Sequence, residues 1–428
     1  MFLNTRRHFL QKTGLASLSL LFASDTWGKN LQNALDNHQQ IDAETLATSE
    51  DFWHYVQQSY TTSGSIINLN NGGVSPSPKI VQDAMKRYHD MSNEAPSYYM
   101  WRILDQGREP LRERLAQLAD VSAEEIALHR NASEALETII FGLNLKAGDE
   151  VVLSKQDYPN MINAWKQREM RDGIKLVWVN HELPSVDNDY LANNYIDLFT
   201  ARTKVVHITH IINWNGQILP VRQIADVAKK QGIEVLVDGA HSFAHFDFSI
   251  TDLQCDYFGT SLHKWLGATI GTGFMYVRKE KIKSLFPLFG VDDPLKDDIR
   301  KFEALGTRPF FIEQAIEKAI DFHKMIGIER KEARLNYLKN YWINQVKDLP
   351  NIIINTPLQK GFSCAIANIA IKDKKHEDLD TFLFEKYKIH VVSITWENIK
   401  GIRITPNVYT TLENLDRLVE GIRKFATS

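Results

Sequence analysis

The sequence predicts an α/β protein: a large domain built on a mostly parallel sheet, followed by a smaller α+β domain. Three observations carry this expectation. Short apolar, β-branched runs alternate with helix-like segments up to about residue 278, the pattern of strands joined by crossover helices. Beyond residue 309 long helical stretches replace the alternation. The 428 residues, 43% of them hydrophobic, supply enough apolar material for one large core and one small one.

Taken in order, the chain opens with 4-NTRRHFLQKTGLASLSLLFA-23. The paired Arg6 and Arg7, with Thr5 before them and Phe9 and Leu10 after, resemble a twin-arginine export signal. The apolar run from 14 to 23 is shorter than the ~20 residues that span a bilayer. The expectation is a signal over 1–30, recognised by the twin-arginine export machinery, and a periplasmic or otherwise exported protein. No A-x-A cleavage site follows, so an uncleaved signal would leave it tethered to the membrane. Export of this kind is associated with proteins that cross the membrane folded, often with a cofactor already loaded.

Residues 31–77 are expected to be a linker and an N-terminal segment packing with the small domain, with regular structure beginning near 51-DFWHYVQQSY-60. The large domain is placed at 78–305. Residues 79–91 and 109–120 have helical periodicity. The runs 150-EVVLS-154, 174-IKLVWV-179, 204-KVVHITHI-211, 233-IEVLVDG-239 and 273-GFMYVR-278 read as strands, with a helix over 221–232 closed by Gly232. The small domain, 306–428, begins with helices over 310–327 and 329–349, continues through strand-like pieces and ends in a helix over 411–425.

A formal net charge of −3 and the absence of any lysine or arginine run argue against a nucleic-acid surface. Cys255 and Cys364 form no metal-binding spacing and sit in apolar flanks, where a cysteine usually serves as a small hydrophobe. No metal is expected. In a parallel sheet, ligands sit beyond the carboxyl ends of strands, which directs attention to four loops.

In 130-RNASEALETIIFGL-143, Ala132 and Ser133 open a helix whose free N–H groups suit a phosphate. In 235-VLVDGAHSFAHFDF-248, Asp238 ends a buried strand and requires a cationic partner. In 261-SLHKWLGATIGTGF-274, Lys264 lies in an apolar, glycine-rich stretch where desolvation would free its amine. In 208-ITHIINWNGQILPV-221, Asn213 ends another apolar run. A lysine nucleophile, an acid for a ring nitrogen and a helix start for a phosphate together fit pyridoxal phosphate.

With these motifs assembled, the sequence resembles the class V aminotransferase family of fold-type-I pyridoxal-phosphate enzymes over most of the chain after residue 65. The similarity is strongest to its isopenicillin N epimerase-like branch, which includes an exported enzyme that modifies pyoverdine siderophores. The S-x-H-K-W-L, V-D-G-A-H and G-T-R-P runs carry the resemblance. It implies pyridoxal 5'-phosphate on Lys264, Asp238 facing the ring nitrogen, and His241 and Asn213 near the phenolic oxygen. Ser261, His263, Ala132 and Ser133 would hold the phosphate, and Tyr158 would stack on the ring. Thr307 of 305-LGTRP-309 would reach the phosphate of a neighbouring subunit, which implies a homodimer with shared sites. Arg403 would clamp a substrate carboxylate, with Asn70 and Asn71 in the glycine turn beside it.

The implied activity is chemistry at the Cα of an amino acid or peptide-like substrate, of the aminotransferase type. Alternatives are epimerisation, a C–S or other β-lyase reaction, and a binding module that has lost catalysis. The sequence departs from the family after the lysine, where Ala268, Thr269 and Ile270 replace a Pro-Thr-Gly, so no phosphate role is assigned to Thr269. It also carries no cysteine over 388–403, which argues against persulfide chemistry.

Overall fold

A computed structural model describes residues 33–36, 38 and 41–427; the twin-arginine motif lies outside the described residues. After helices Ala43–Ala47 and Glu50–Gln58 the chain forms a two-residue strand, β1 (Ile67–Asn68), and then the strands of a seven-stranded sheet. These are β2 (Ile126–His129), β3 (Glu150–Ser154), β4 (Lys175–Val179), β5 (Thr203–Thr209), β6 (Glu234–Asp238), β7 (Tyr257–Ser261) and β8 (Gly273–Val277). Their order is β2-β8-β7-β6-β5-β3-β4. Only β8 runs against the others, pairing antiparallel with both β2 and β7. Helices Ala132–Gly142 and Pro159–Asp172 share one apolar core with Val151, Leu153, Val205 and Leu236. Helices Lys79–Glu94, Arg108–Ala119 and Val221–Lys230 share another with Val152, Val206, Val235 and Val237. Alternate residues of the same strands therefore feed two cores, and both faces of the sheet are covered.

The later strands β9 (Ile352–Ile354), β10 (Ala367–Ile371), β11 (Ile389–His390), β12 (Val392–Trp396) and β13 (Ile399–Ile404) build the second unit. Four of them form an antiparallel sheet ordered β12-β13-β10-β9, covered by Ile328–Val346, His376–Tyr387 and Leu412–Thr427. β1 pairs in parallel with β11, so the chain visits this unit before it enters the large sheet.

The helices that follow the expected boundary at 306 pack into two cores. Ala315, Ile316, Ala319 and Ile320 of the 310–326 helical stretch are buried with Val81, Ala84, Leu111 and Leu115 in a core of the large domain. The first helix assigned to the small domain thus divides its buried face: its later residues Phe322, Met325 and Ile326 pack with Trp53, Leu335 and Cys364. Local periodicity identifies a helix but not which core receives its apolar side.

Candidate active site

The carboxyl ends of β2, β3, β5, β6 and β7 open on one edge of the sheet. Each is followed by a residue singled out above: Ala132 after β2, Tyr158 after β3, Asn213 after β5, Asp238 at the end of β6 and Lys264 after β7. Asp238 is buried and is the register partner of Thr209 on β5 and Gly259 on β7. Its Oδ1 accepts the Ala240 N–H at 2.9 Å. Burial raises its carboxyl above the usual range, opposed by that N–H and by the charge of Lys264. A carboxylate in this position gains from a cation that can be brought to it.

Lys264 supplies part of that cation. Its Nζ lies at hydrogen-bond distance, 3.0 Å, from His241 Nε2. Loss of water around it draws its ammonium down to about 8, against the opposing pull of Asp238, with Arg403 adding to the fall. A useful fraction of Lys264 is then the free amine near neutral pH. Covalent loading of the cofactor-free protein by an added aldehyde should speed up with pH and level off above about pH 8. Absorbance-monitored loading across pH checks this; a rate still climbing tenfold per unit at pH 10 would contradict it.

His241, Asn213 and Arg403 each keep a buried polar atom without a protein partner: Nδ1, Oδ1 and Nε respectively. Burial, followed by the charges of Lys264 and Arg403, keeps the His241 ring neutral. Buried groups of this kind are normally satisfied, so three orphans around one amine mark a place prepared for a polar ligand. Arg403 on β13 donates from Nη1 to the Asn213 carbonyl at 3.1 Å and from Nη2 to Asn70 Oδ1 at 2.9 Å. Burial lowers its pKa, yet no acidic residue pairs with it among the described residues. A guanidinium without an acidic partner is able to receive a carboxylate.

The phosphate-holding candidates meet at the start of helix Ala132–Gly142. Asn131 caps it by accepting the Glu134 N–H at 2.9 Å. Ala132 N–H donates to Ser261 Oγ at 2.9 Å, which joins the helix start to the end of β7. Ser133, also in the first turn, is partly exposed. His263 Nδ1 lies 3.2 Å from the Thr272 carbonyl, and burial, with Lys264 beside it, lowers its imidazole to about 4. At Gly273 an added Cβ would fall 2.5 Å from the Thr260 carbonyl oxygen and 2.8 Å from Asn131 Cα. Only glycine lets the β7–β8 connection approach the helix start this closely.

Tyr158 is 41% exposed and its ring stacks on Trp214 at 6.3 Å, which stacks on Trp396 of β12 at 5.1 Å. The indole N–H groups of these tryptophans donate to the Gln156 and Lys155 carbonyls. The sequence reading missed both, although Trp214 directly follows Asn213 and was available as a signal. The Asn70–Gly73 turn sits against the site: a Cβ at Gly72 would lie 3.1 Å from Thr405 Cγ2 and 3.6 Å from His241 Cε1.

Not every candidate converges. Asn71 is buried and already saturated: Nδ2 donates to the Asn68 and Thr405 carbonyls, and Oδ1 accepts from Asn68 Nδ2 and the Tyr409 hydroxyl. Its side chain closes the turn and has nothing left for a substrate. Thr307 is exposed on the 305–309 loop, whose Leu305 and Arg308 share a small pocket with His129, Arg130 and Glu134. Thr269 is engaged with the Ile312 carbonyl. Both cysteines are buried and free, and burial pushes each thiol up to about 12.

The residues therefore fit pyridoxal 5'-phosphate in kind: an activated lysine, a buried carboxylate for a ring nitrogen, unpartnered groups for a phenolic oxygen, and a helix start for a phosphate. Comparison with known proteins agrees. The chain is 26% identical over 388 residues to the isopenicillin N epimerase of Streptomyces clavuligerus, covering 86% of this chain and 97% of that one. It is 27% identical over 321 residues to a cysteine desulfurase of Haloferax volcanii, covering 68% and 72%. Among solved structures, the cysteine desulfurase of Thermococcus onnurineus superposes with a TM-score of 0.77 at 21% identity, over 89% of this chain and 98% of that one. The family model described as "Aminotransferase class-V" matches residues 67–418, which include every candidate named after the signal. This chain therefore belongs to the class V aminotransferase family.

Proposed function

We propose that this protein is an exported pyridoxal 5'-phosphate enzyme acting at the Cα of an amino acid or of the amino-acid part of a peptide-like substrate. The observation that carries the reading is Lys264, its amine drawn to about 8 by loss of water, facing the charge of the buried Asp238 at the ends of neighbouring strands. When bound, the cofactor supplies an electron sink for the pair left as a bond at Cα breaks. Lys264 Nζ holds the cofactor and then moves the proton to or from Cα. Asp238 keeps the ring nitrogen protonated. Ser261, His263, Ser133 and the N–H groups of the helix start take the phosphate. Tyr158, backed by Trp214 and Trp396, covers one face and excludes water. Arg403, held by Asn70 and the Asn213 carbonyl, grips the substrate carboxylate.

Transamination is the first reading and epimerisation the second, the latter favoured by the near-full-length similarity to isopenicillin N epimerase. A C–S or other β-lyase reaction is the third. A persulfide carried on the protein is disfavoured because both thiols are buried and protonated at neutral pH. Incubating the loaded protein with amino acids, short peptides and siderophore-like peptides in deuterated water tests the reading through product mass. Amine loss, deuterium at Cα with inverted configuration, and cleavage identify the three reactions. No product and no colour would indicate a binding module instead.

Two further parts of the reading concern assembly and location. Exposed Tyr98, Trp101 and Ile270, together with Thr307, support a homodimer in which each copy completes the other's phosphate site. The Arg6–Arg7 pair supports twin-arginine export. Replacing both arginines by lysine should leave the protein in the cytoplasm; unchanged export on cell fractionation would remove this part.

A further inference from the structure

Of the buried carboxylates that take no part in the proposed chemistry, Glu150, Asp256, Glu303 and Asp321 are each paired with an arginine, and Asp157 is not. Asp157, immediately before Tyr158, is 1% exposed. Its Oδ2 accepts the Ser154 N–H at 2.8 Å and its Oδ1 accepts the Thr209 hydroxyl at 2.7 Å. No lysine, arginine or histidine lies within ion-pair distance of it among the described residues. Thr209 ends β5 and is the register partner of Asp238, which ends β6. Because β3, β5 and β6 are adjacent, Asp157, Thr209 and Asp238 form a row across three strand ends.

The titratable groups facing Asp157 are Asp238 from β6 and Tyr195 from the helix Asn188–Ile196. The Tyr195 hydroxyl is fully buried and has no hydrogen-bond partner. Burial lifts the Asp157 carboxyl to about 7, opposed by its two hydrogen bonds and reinforced by the charge of Asp238. A buried acid with no cation is costly in a fold, and capping the Ser154 N–H would be served as well by a neutral oxygen. Its charged form has no basic partner within ion-pair distance among the described residues, and the row of strand ends leads from it through Thr209 to Asp238.

We propose that Asp157 is a positioning residue for charge: wired to the strand end through Thr209, it holds a second negative charge behind Asp238, so that a cationic ring nitrogen is retained more tightly once Asp157 is ionised. This rests on the cofactor reading. It predicts affinity that responds to pH through a residue touching neither cofactor nor substrate.

The test compares wild type, Asp157→Asn, Thr209→Val and Thr209→Ser, loaded with pyridoxal 5'-phosphate. Two quantities are read: the cofactor's dissociation constant across about pH 6 to 8, and the pH midpoint at which its visible band changes. Asp157→Asn should lower the midpoint by about one unit and weaken retention several-fold, most at the alkaline end. Thr209→Val should shift both in the same direction by less, and Thr209→Ser should match wild type. If Asp157→Asn fails to fold, the valine and serine pair carries the comparison. Midpoints and affinities equal to wild type in folded Asp157→Asn or Thr209→Val would overturn the inference while leaving the cofactor reading intact. A wild type that takes up no cofactor would overturn both.

Discussion

Lys264→Ala should abolish turnover, with a loss on the order of 10³-fold or more, because the variant loses both the covalent anchor and the group that moves the Cα proton. The protein should still fold. Lys264 makes one side-chain hydrogen bond, to His241, and its half-buried, desolvated ammonium is a burden on the native state rather than a support. The melting temperature of the cofactor-free variant should therefore match or exceed that of wild type, while the variant takes up pyridoxal 5'-phosphate only non-covalently. Residual turnover within tenfold of wild type would assign the proton transfer to another group.

Asp238→Ala should have the next largest effect and act through retention. Truncating one partner of a buried charge pair costs about 3 to 5 kcal/mol, which is roughly a hundredfold or more in the cofactor's dissociation constant. Turnover should fall further, because an unprotonated ring accepts electrons poorly. The cofactor-free form should again be no less stable, since burial already disfavours the Asp238 carboxylate there. A variant that keeps its cofactor at wild-type affinity would place the ring nitrogen elsewhere. The contrast between a destabilised complex and an undisturbed cofactor-free protein separates a ligand-facing acid from a structural one.

The large sheet was readable where strands are apolar throughout. β3, β4, β5, β6 and β8 coincide within a residue or two with the runs identified in the sequence. β2 was not marked as a strand, and β7 was expected only as a strand-like flank of Cys255 ending before Lys264: 257-YFGTS-261 ends in small and polar residues, and its bounds come from pairing with both β6 and β8. A glycine there weakens local preference, yet at Gly259 an added Cβ would meet Leu136 at 2.7 Å, so helix packing selects it. The antiparallel course of β8 also depends on its neighbours, which a single run does not disclose.

In the site, Asp238 and Lys264 were legible because a charged residue at the end of an apolar run conflicts with its surroundings. Asn71 read as equivalent to Asn70 until its four hydrogen bonds were visible; two of them, to the Thr405 carbonyl and the Tyr409 hydroxyl, join segments that only the folded chain brings together. Asp157, Thr209 and Trp396 carried no sequence signal. The Asp157–Thr209 bond closes 52 residues and the Trp396–Lys155 bond 241, separations at which no local pattern exists. Shifted pKa values alone would also have been ambiguous. Burial draws Lys331 to about 7 and Lys339 to about 8, but their amines are tied to the Trp265 carbonyl and Ser363 Oγ. Lys264 stands apart by its position at the strand ends beside Asp238.

That distinction also gives the most direct test. Wild-type protein loaded with pyridoxal 5'-phosphate should be yellow, and borohydride should bleach the band while fixing the cofactor to one peptide. Peptide mass spectrometry should place the pyridoxyl group on Lys264. A protein that stays colourless, or an adduct found on Lys331, Lys339 or another lysine with Lys264 unmodified, would contradict the account.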